Sequence, residues 1–217
     1  MKRFGEIFRY ELGYRLRSPL TWIYFALIWG GTIFIVHVSS TEGNRVINAP
    51  LNHSEIVTML GFFLMVVTVG IFGDAATRDT GTGMQSLFST APISKLDYLG
   101  GRFVASFLVN AVLLAGMPLM VALTMAFPWL SHYNWAPFRV MSFVQPYVLL
   151  TLPNLLISAV VIYSIAGLTK NSLATYVGGL GLGILYLIIV NQGLGNETLE
   201  SLIDPFALTS MQRLTAY

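Results

Sequence analysis

Residues 73–98 read GDAATRDTGTGMQSLFSTAPISKLDY, a run of 26 residues rich in charge, hydroxyl and glycine inside a chain that is otherwise apolar. On either side lie stretches free of Asp, Glu, Lys and Arg. They cover Ser18–Thr41 (24 residues), Ile56–Gly73 (18), Phe103–Phe138 (36), Val140–Thr169 (30) and Asn171–Asn196 (26). Each reaches the length of about 18 to 20 residues that crosses a hydrocarbon core. In that medium the backbone must satisfy itself, so each stretch is expected to be a helix. The predicted fold is all-α, a polytopic membrane helix bundle with spans near 20–38, 56–72, 103–127, 147–168 and 173–190.

Composition agrees with this reading. Of 217 residues 55% are hydrophobic and 10% charged, and the mean hydropathy is +0.69, whereas soluble domains carry roughly a quarter charged residues. Cysteine is absent, which excludes disulfides and thiolate metal sites. The first apolar run is too long for a cleavable signal and lacks a small-residue cleavage site, so it is read as an anchor. If the N-terminus is cytosolic, nine of the twelve basic residues fall inside (Lys2, Arg3, Arg9, Arg15, Arg17, Arg78, Lys95, Arg102 and Lys170). Only Arg45, Arg139 and Arg213 fall outside, the bias expected of an inward N-terminus.

Three parts follow from this frame. Residues 1–19 place Phe4, Ile7, Phe8, Leu12 and Leu16 on one side of a helical wheel, an amphipathic helix suited to the membrane interface. Glu11 and Arg15 intrude on that apolar arc at i,i+4 spacing and can pair with each other. Residues 20–192 form the membrane domain, and residues 193–217 an extracytoplasmic segment with an amphipathic stub at Phe206, Leu208, Met211 and Leu214.

Within 73–98, Asp74 is expected to close the second span, with Arg78 and Asp79 solvated. Gly81 and Gly83 then break the helix, and MQSLFST forms a short helix ended by Pro92. Ser94 can cap the next helix, with Asp97 three residues later as the capping acid. Met84, Leu87 and Phe88 stand at helical spacing, an apolar patch that no span explains and that suits a partner surface. In the spans Asn110 and Asn154 can bond across helices, and Pro118 and Pro153 should kink theirs. Ala174, Gly178, Gly179 and Gly183 give close helix contact.

Catalytic chemistry is not encoded by the usual motifs. Asp79-Thr80-Gly81 matches half of an aspartic protease site, but the reaction needs two such carboxylates and the chain has one triplet. His37, His53 and His132 are scattered and form no His-Glu-x-x-His helix, and there is no Gly-x-x-x-x-Gly-Lys-Ser/Thr loop for nucleotide phosphates. The span interiors carry no Asp, Glu, Lys or Arg of the kind that ion-coupled transporters keep at the midplane. Any transport would draw its energy from a partner.

The basic N-terminal helix KRFGEIFRYELGYRLRSP, two spans, and then RDTGTGMQSLFSTAPISKLDYLGGRFV together resemble the permease subunits of type-2 ABC transporters, mostly bacterial exporters. The resemblance covers most of the chain and rests on the order of its parts. It implies that residues 73–98 hold a coupling helix that docks a separate ABC ATPase. The implied docking positions are Arg78, Asp79, Gly81, Thr82, Leu87, Ser89, Thr90, Pro92, Ser94 and Lys95. It further implies no catalytic residue, metal or cofactor in this chain, ATP and Mg on the partner ATPase, and a second permease half across the substrate path. An inner-membrane location with no nucleic-acid partner goes with it. The family's usual domain has six spans with both ends inside. Five are read here, so the expectation is a fragment lacking its sixth. The chain is also similar to the N-terminal part of large bacterial proteins that join such permease units to a zinc aminopeptidase-like domain. A rival reading is a non-transporting anchor or assembly subunit that uses the same loop as a scaffold.

Overall fold

The computed structural model describes residues 2–39, 65–81, 83, 93–127 and 137–192, together with 54, 56, 57, 60 and 61. Every regular element among them is a helix. In chain order they are α1 (Lys2–Arg17), α2 (Pro19–Ser39), α3 (Met65–Gly81), α4 (Lys95–Ala126), α5 (Val140–Pro146), a π-turn (Tyr147–Thr151), α6 (Leu152–Thr169) and α7 (Ser172–Gln192).

The boundaries have local causes. Arg15 and Arg17 sit in the last turn of α1, where cations offset the helix dipole. Pro19 opens α2 at a position where its missing N–H costs nothing. The Ser94 hydroxyl accepts the Asp97 N–H at 3.0 Å, the cap read from the sequence. Asn171 does the same for α7, accepting from Leu173 at 2.9 Å. Lys170 ends α6 in the left-handed region at φ 51°, where a glycine would normally announce the stop. The helix break read at Gly81 and Gly83 falls where the structure has it: α3 runs past Asp74 through Gly81, and Gly83 then turns the chain at φ +70°.

Three stretches of the described residues are long and apolar enough to cross a membrane: Pro19–His37, Lys95–Ala126 and Val140–Thr169. Protein buries 67% of the apolar window in the second but 22% in each of the others. Helix α4 therefore meets protein on most sides, while most residues of the other two are at least partly exposed. Ser172–Leu185 adds a shorter apolar stretch.

The described chain packs as two units. The first joins Met1–Ile23, Met65–Val112 and Leu155–Ile184. Its aromatic centre sets Phe103 5.5 Å from Phe72 and 5.4 Å from Tyr163, whose hydroxyl donates to the Leu99 carbonyl at 3.1 Å. Buried Asn110 donates to Thr68 at 3.0 Å, joining α4 to α3 as its type suggested. Close approach depends on glycine. A Cβ on Gly179 would stand 2.6 Å from Val69, and one on Gly101 would stand 3.1 Å from Ile7. The second unit joins Tyr24–Leu64, Leu113–Asn154 and Leu185–Tyr217 and buries Ile28, Val36, Met117 and Val121, with Trp29 lying over Gly116.

The glycine contacts give a direct test on one helix. Gly179→Ile forces Val69 aside and is expected to destabilise the fold by about 1–3 kcal/mol. Gly181→Ala meets open space and should leave the melting temperature in detergent unchanged or slightly higher, since alanine favours helix.

Candidate functional site

Helix α1 packs against the protein. Its face of Phe4, Ile7, Glu11 and Arg15 turns toward the protein, with Phe4 over Gly100 and Ile7 over Gly101 of α4. The spacing of 4, 7, 11 and 15 is one helical stripe, so packing its apolar half carries its charged half inward. Glu11 is 1% exposed and Arg15 4%. Charges so placed are costly unless paired, and a network supplies the partners.

Three helices contribute. Arg15 Nη2 lies 3.1 Å from Glu11 Oε1, the pairing expected from their spacing. The other Glu11 oxygen bonds Arg78 of α3 and lies 3.5 Å from Arg102 Nε of α4. Arg102 also pairs with Asp79 and donates to the Tyr98 hydroxyl at 2.7 Å. Arg15 reaches further, donating from Nε to Ser106 Oγ at 3.1 Å and from Nη2 to the Ile71 carbonyl at 3.0 Å. Asp74 completes the set at 3.4 Å from Arg15 and 3.6 Å from Arg78. Three guanidiniums thus face three carboxylates, which balances the charge.

The electrostatics follow from this layout. Burial pulls the pKa of Arg15 down from its ordinary value, with Glu11 and Asp74 opposing it. At Arg78 burial also acts against the charge. There the bond to Glu11, with the attraction of Glu11 and Asp74, more than offsets burial and the pKa is raised. The Arg78 guanidinium also lies 4.0 Å over the Tyr14 ring. Beside the network opens a cavity of about 590 Å³, lined among others by Glu6, Tyr10, Tyr14, Ile93, Tyr98 and Arg102.

The docking positions read from the sequence divide. Arg78 and Asp79 are not solvated, as expected above, but held in ion pairs with side-chain exposures of 17% and 19%. The reason is that the last turns of α3 pack where counter-charges are supplied, Glu11 of α1 for Arg78 and Arg102 of α4 for Asp79. Gly81 is the last residue of α3, and Ser94 and Lys95 are exposed at the start of α4. Thr82, Leu87, Ser89, Thr90 and Pro92 lie outside the described residues, as do the short helix and the apolar patch assigned to them. The sequence reading missed Asp74, Tyr98, Arg102 and Ser106 as members of the network. A signal was present in the two charges on the apolar arc of α1, which called for more partners than each other.

What the network can do is mechanical. The Asp79–Arg102 pair joins the two ends of the segment that connects α3 to α4, and Glu11 ties both ends to α1. Among the described residues no three His, Cys, Asp or Glu side chains are grouped to hold a metal ion. Comparison with family models, with curated proteins and with solved structures finds no match for the chain.

Removing one member should cost far more than the pair itself is worth. Glu11→Gln leaves buried guanidiniums in excess and is expected to destabilise by about 3–5 kcal/mol. Glu6→Gln, exposed on the same helix, should stay within about 0.5 kcal/mol. In a double-mutant cycle, Asp79→Asn and Arg102→Gln should show a coupling of about 0.5–3 kcal/mol by denaturant unfolding in detergent.

Proposed function

We propose that this chain is the transmembrane permease subunit of an ATP-driven ABC exporter, which docks a separate ATPase through residues 73–98. The observation that carries the proposal is the closure of that segment by Asp79 and Arg102 over the buried Glu11. Helix ends tied to each other and to a third helix give the segment between them a firm mount, and a coupling element needs such a mount to pass on a push. The resemblance in the order of parts supports the same reading, and so do the three long apolar helices. Five spans, an inner-membrane location and a cytosolic N-terminus belong to it. In this reading Arg78 and Asp79 hold the segment in place. Contact with the ATPase falls to Thr82, Leu87, Ser89, Thr90 and Pro92, with Ser94 and Lys95 at the exposed rim. The cargo would cross between this chain and a second permease half, and apolar lining suits a lipid-like, peptide or drug-like molecule.

The test is purification of the native complex in mild detergent, with mass spectrometry of what accompanies it. The expected result is a stoichiometric partner carrying a phosphate-binding loop, whose ATPase rate this chain stimulates. Leu87→Asp should abolish copurification while leaving membrane insertion intact, since an unpaired carboxylate at an interface costs several kcal/mol. Repeated absence of any such partner would favour the anchor or scaffold reading, and unchanged docking in Leu87→Asp would remove the coupling-helix assignment.

A further inference from the structure

The exposed side of α1 carries a second feature that the charge network does not use. Arg9, Gly13 and Arg17 stand at i, i+4 and i+8, one row along the helix surface. Both arginines are exposed, and neither has an ion-pair or hydrogen-bond partner among the described residues. Between them Gly13 has no side chain, and a Cβ placed there would meet nothing within 4 Å. The result is a recess of about 540 Å³, lined by Arg9, Tyr10, Gly13, Tyr14, Arg17 and Ser18 and closed by Pro19.

Position gives this recess its occupant. It lies where α1 turns into α2, the first stretch long and apolar enough to cross a membrane. Just beyond it Leu20, Trp22 and Ile23 are exposed, and the Trp22 indole donates to the Leu16 carbonyl at 3.1 Å. A tryptophan with its N–H satisfied and its ring outward is the residue type that marks the membrane–water boundary. Two free guanidiniums flank a gap with hydroxyls from tyrosine and serine, which is chemistry for a phosphate oxyanion. Apolar side chains on the adjoining turn of α2 offer a path for acyl chains.

We propose that Arg9 and Arg17, across the Gly13 gap, bind the headgroup of an anionic phospholipid. The lipid would fix the depth of the α1–α2 corner in the membrane. This rests on the reading of α2 as a membrane span, and the test separates the two.

The full chain is purified in neutral detergent and titrated with short-chain phosphatidylglycerol, phosphatidylcholine or inorganic phosphate, with retained lipid counted by native mass spectrometry. Expected is retention of phosphatidylglycerol over both other probes. Arg9→Gln and Arg17→Gln should each weaken it by about tenfold, more than the roughly fivefold that one charge near an anionic surface contributes. Gly13→Leu keeps every charge and fills the gap, and should weaken retention as much as either. Arg3→Gln, exposed on the same helix but outside the recess, should have the smaller effect. Equal retention of phosphatidylcholine, equal retention of inorganic phosphate, or an Arg3→Gln loss matching that of Arg9→Gln would overturn the proposal. So would unchanged retention in a folded Gly13→Leu. Failure of the wild-type chain to enter vesicles of phosphatidylcholine alone would instead remove the membrane reading of α2. Should Gly13→Leu not fold, the comparison of Arg9→Gln with Arg3→Gln still decides.

Discussion

One carboxylate, that of Glu11, is shared among three guanidiniums from three helices. A buried charge cannot be left half-paired without a penalty of several kcal/mol, so the register of each helix against the others is constrained at this point. Helix α1 must present residue 11 inward, α3 must continue far enough to deliver Arg78 and Asp79, and α4 must start early enough to deliver Arg102. Glycines 100 and 101 let α1 come close enough for this, since Phe4 and Ile7 take the space a larger side chain would fill. Apolar contact and charge pairing therefore select the same arrangement, the kind of agreement between levels that specifies one structure.

The network also gives the polar segment between α3 and α4 its frame. In a chain dominated by non-directional apolar packing, directional bonds fix where a connecting segment leaves and returns. Asp79 and Arg102 do this at its two ends, and Glu11 ties Arg102 to α1. The result is a stiff mount at the helix ends on either side of that segment. The same mount leaves the opposite face of α1 free, and that is where the recess between Arg9 and Arg17 lies.

Much of this was legible in the sequence. Helices were, because long charge-free runs leave the backbone no other partner; so were the Ser94 cap, the Glu11–Arg15 pair and the Asn110 bond, each set by spacing or by an obligatory hydrogen-bonding group. The ion pairing of Asp74, Arg78 and Asp79 was harder to read. Charged residues at 74, 78 and 79 resemble a solvated loop until a second helix supplies their counter-charges, and such a contact is not local in sequence. The stop at Lys170 carried no glycine to mark it. The small residues of α7 were rightly taken as packing positions, although only the structure shows Val69 as the neighbour of Gly179.

The most direct test of the central claim, that α1 is fixed to the helices framing the polar segment, uses the absence of native cysteine. The Ile7 Cβ lies 3.2 Å from the place a Cβ on Gly101 would take, close to the span a disulfide requires. The chain carrying Ile7→Cys and Gly101→Cys, oxidised mildly in native membranes, should cross-link rapidly, and adding Glu11→Gln should slow it. A chain with Arg9→Cys and Gly101→Cys should not cross-link. No bond between 7 and 101, or equal rates for the two pairs, would contradict the account.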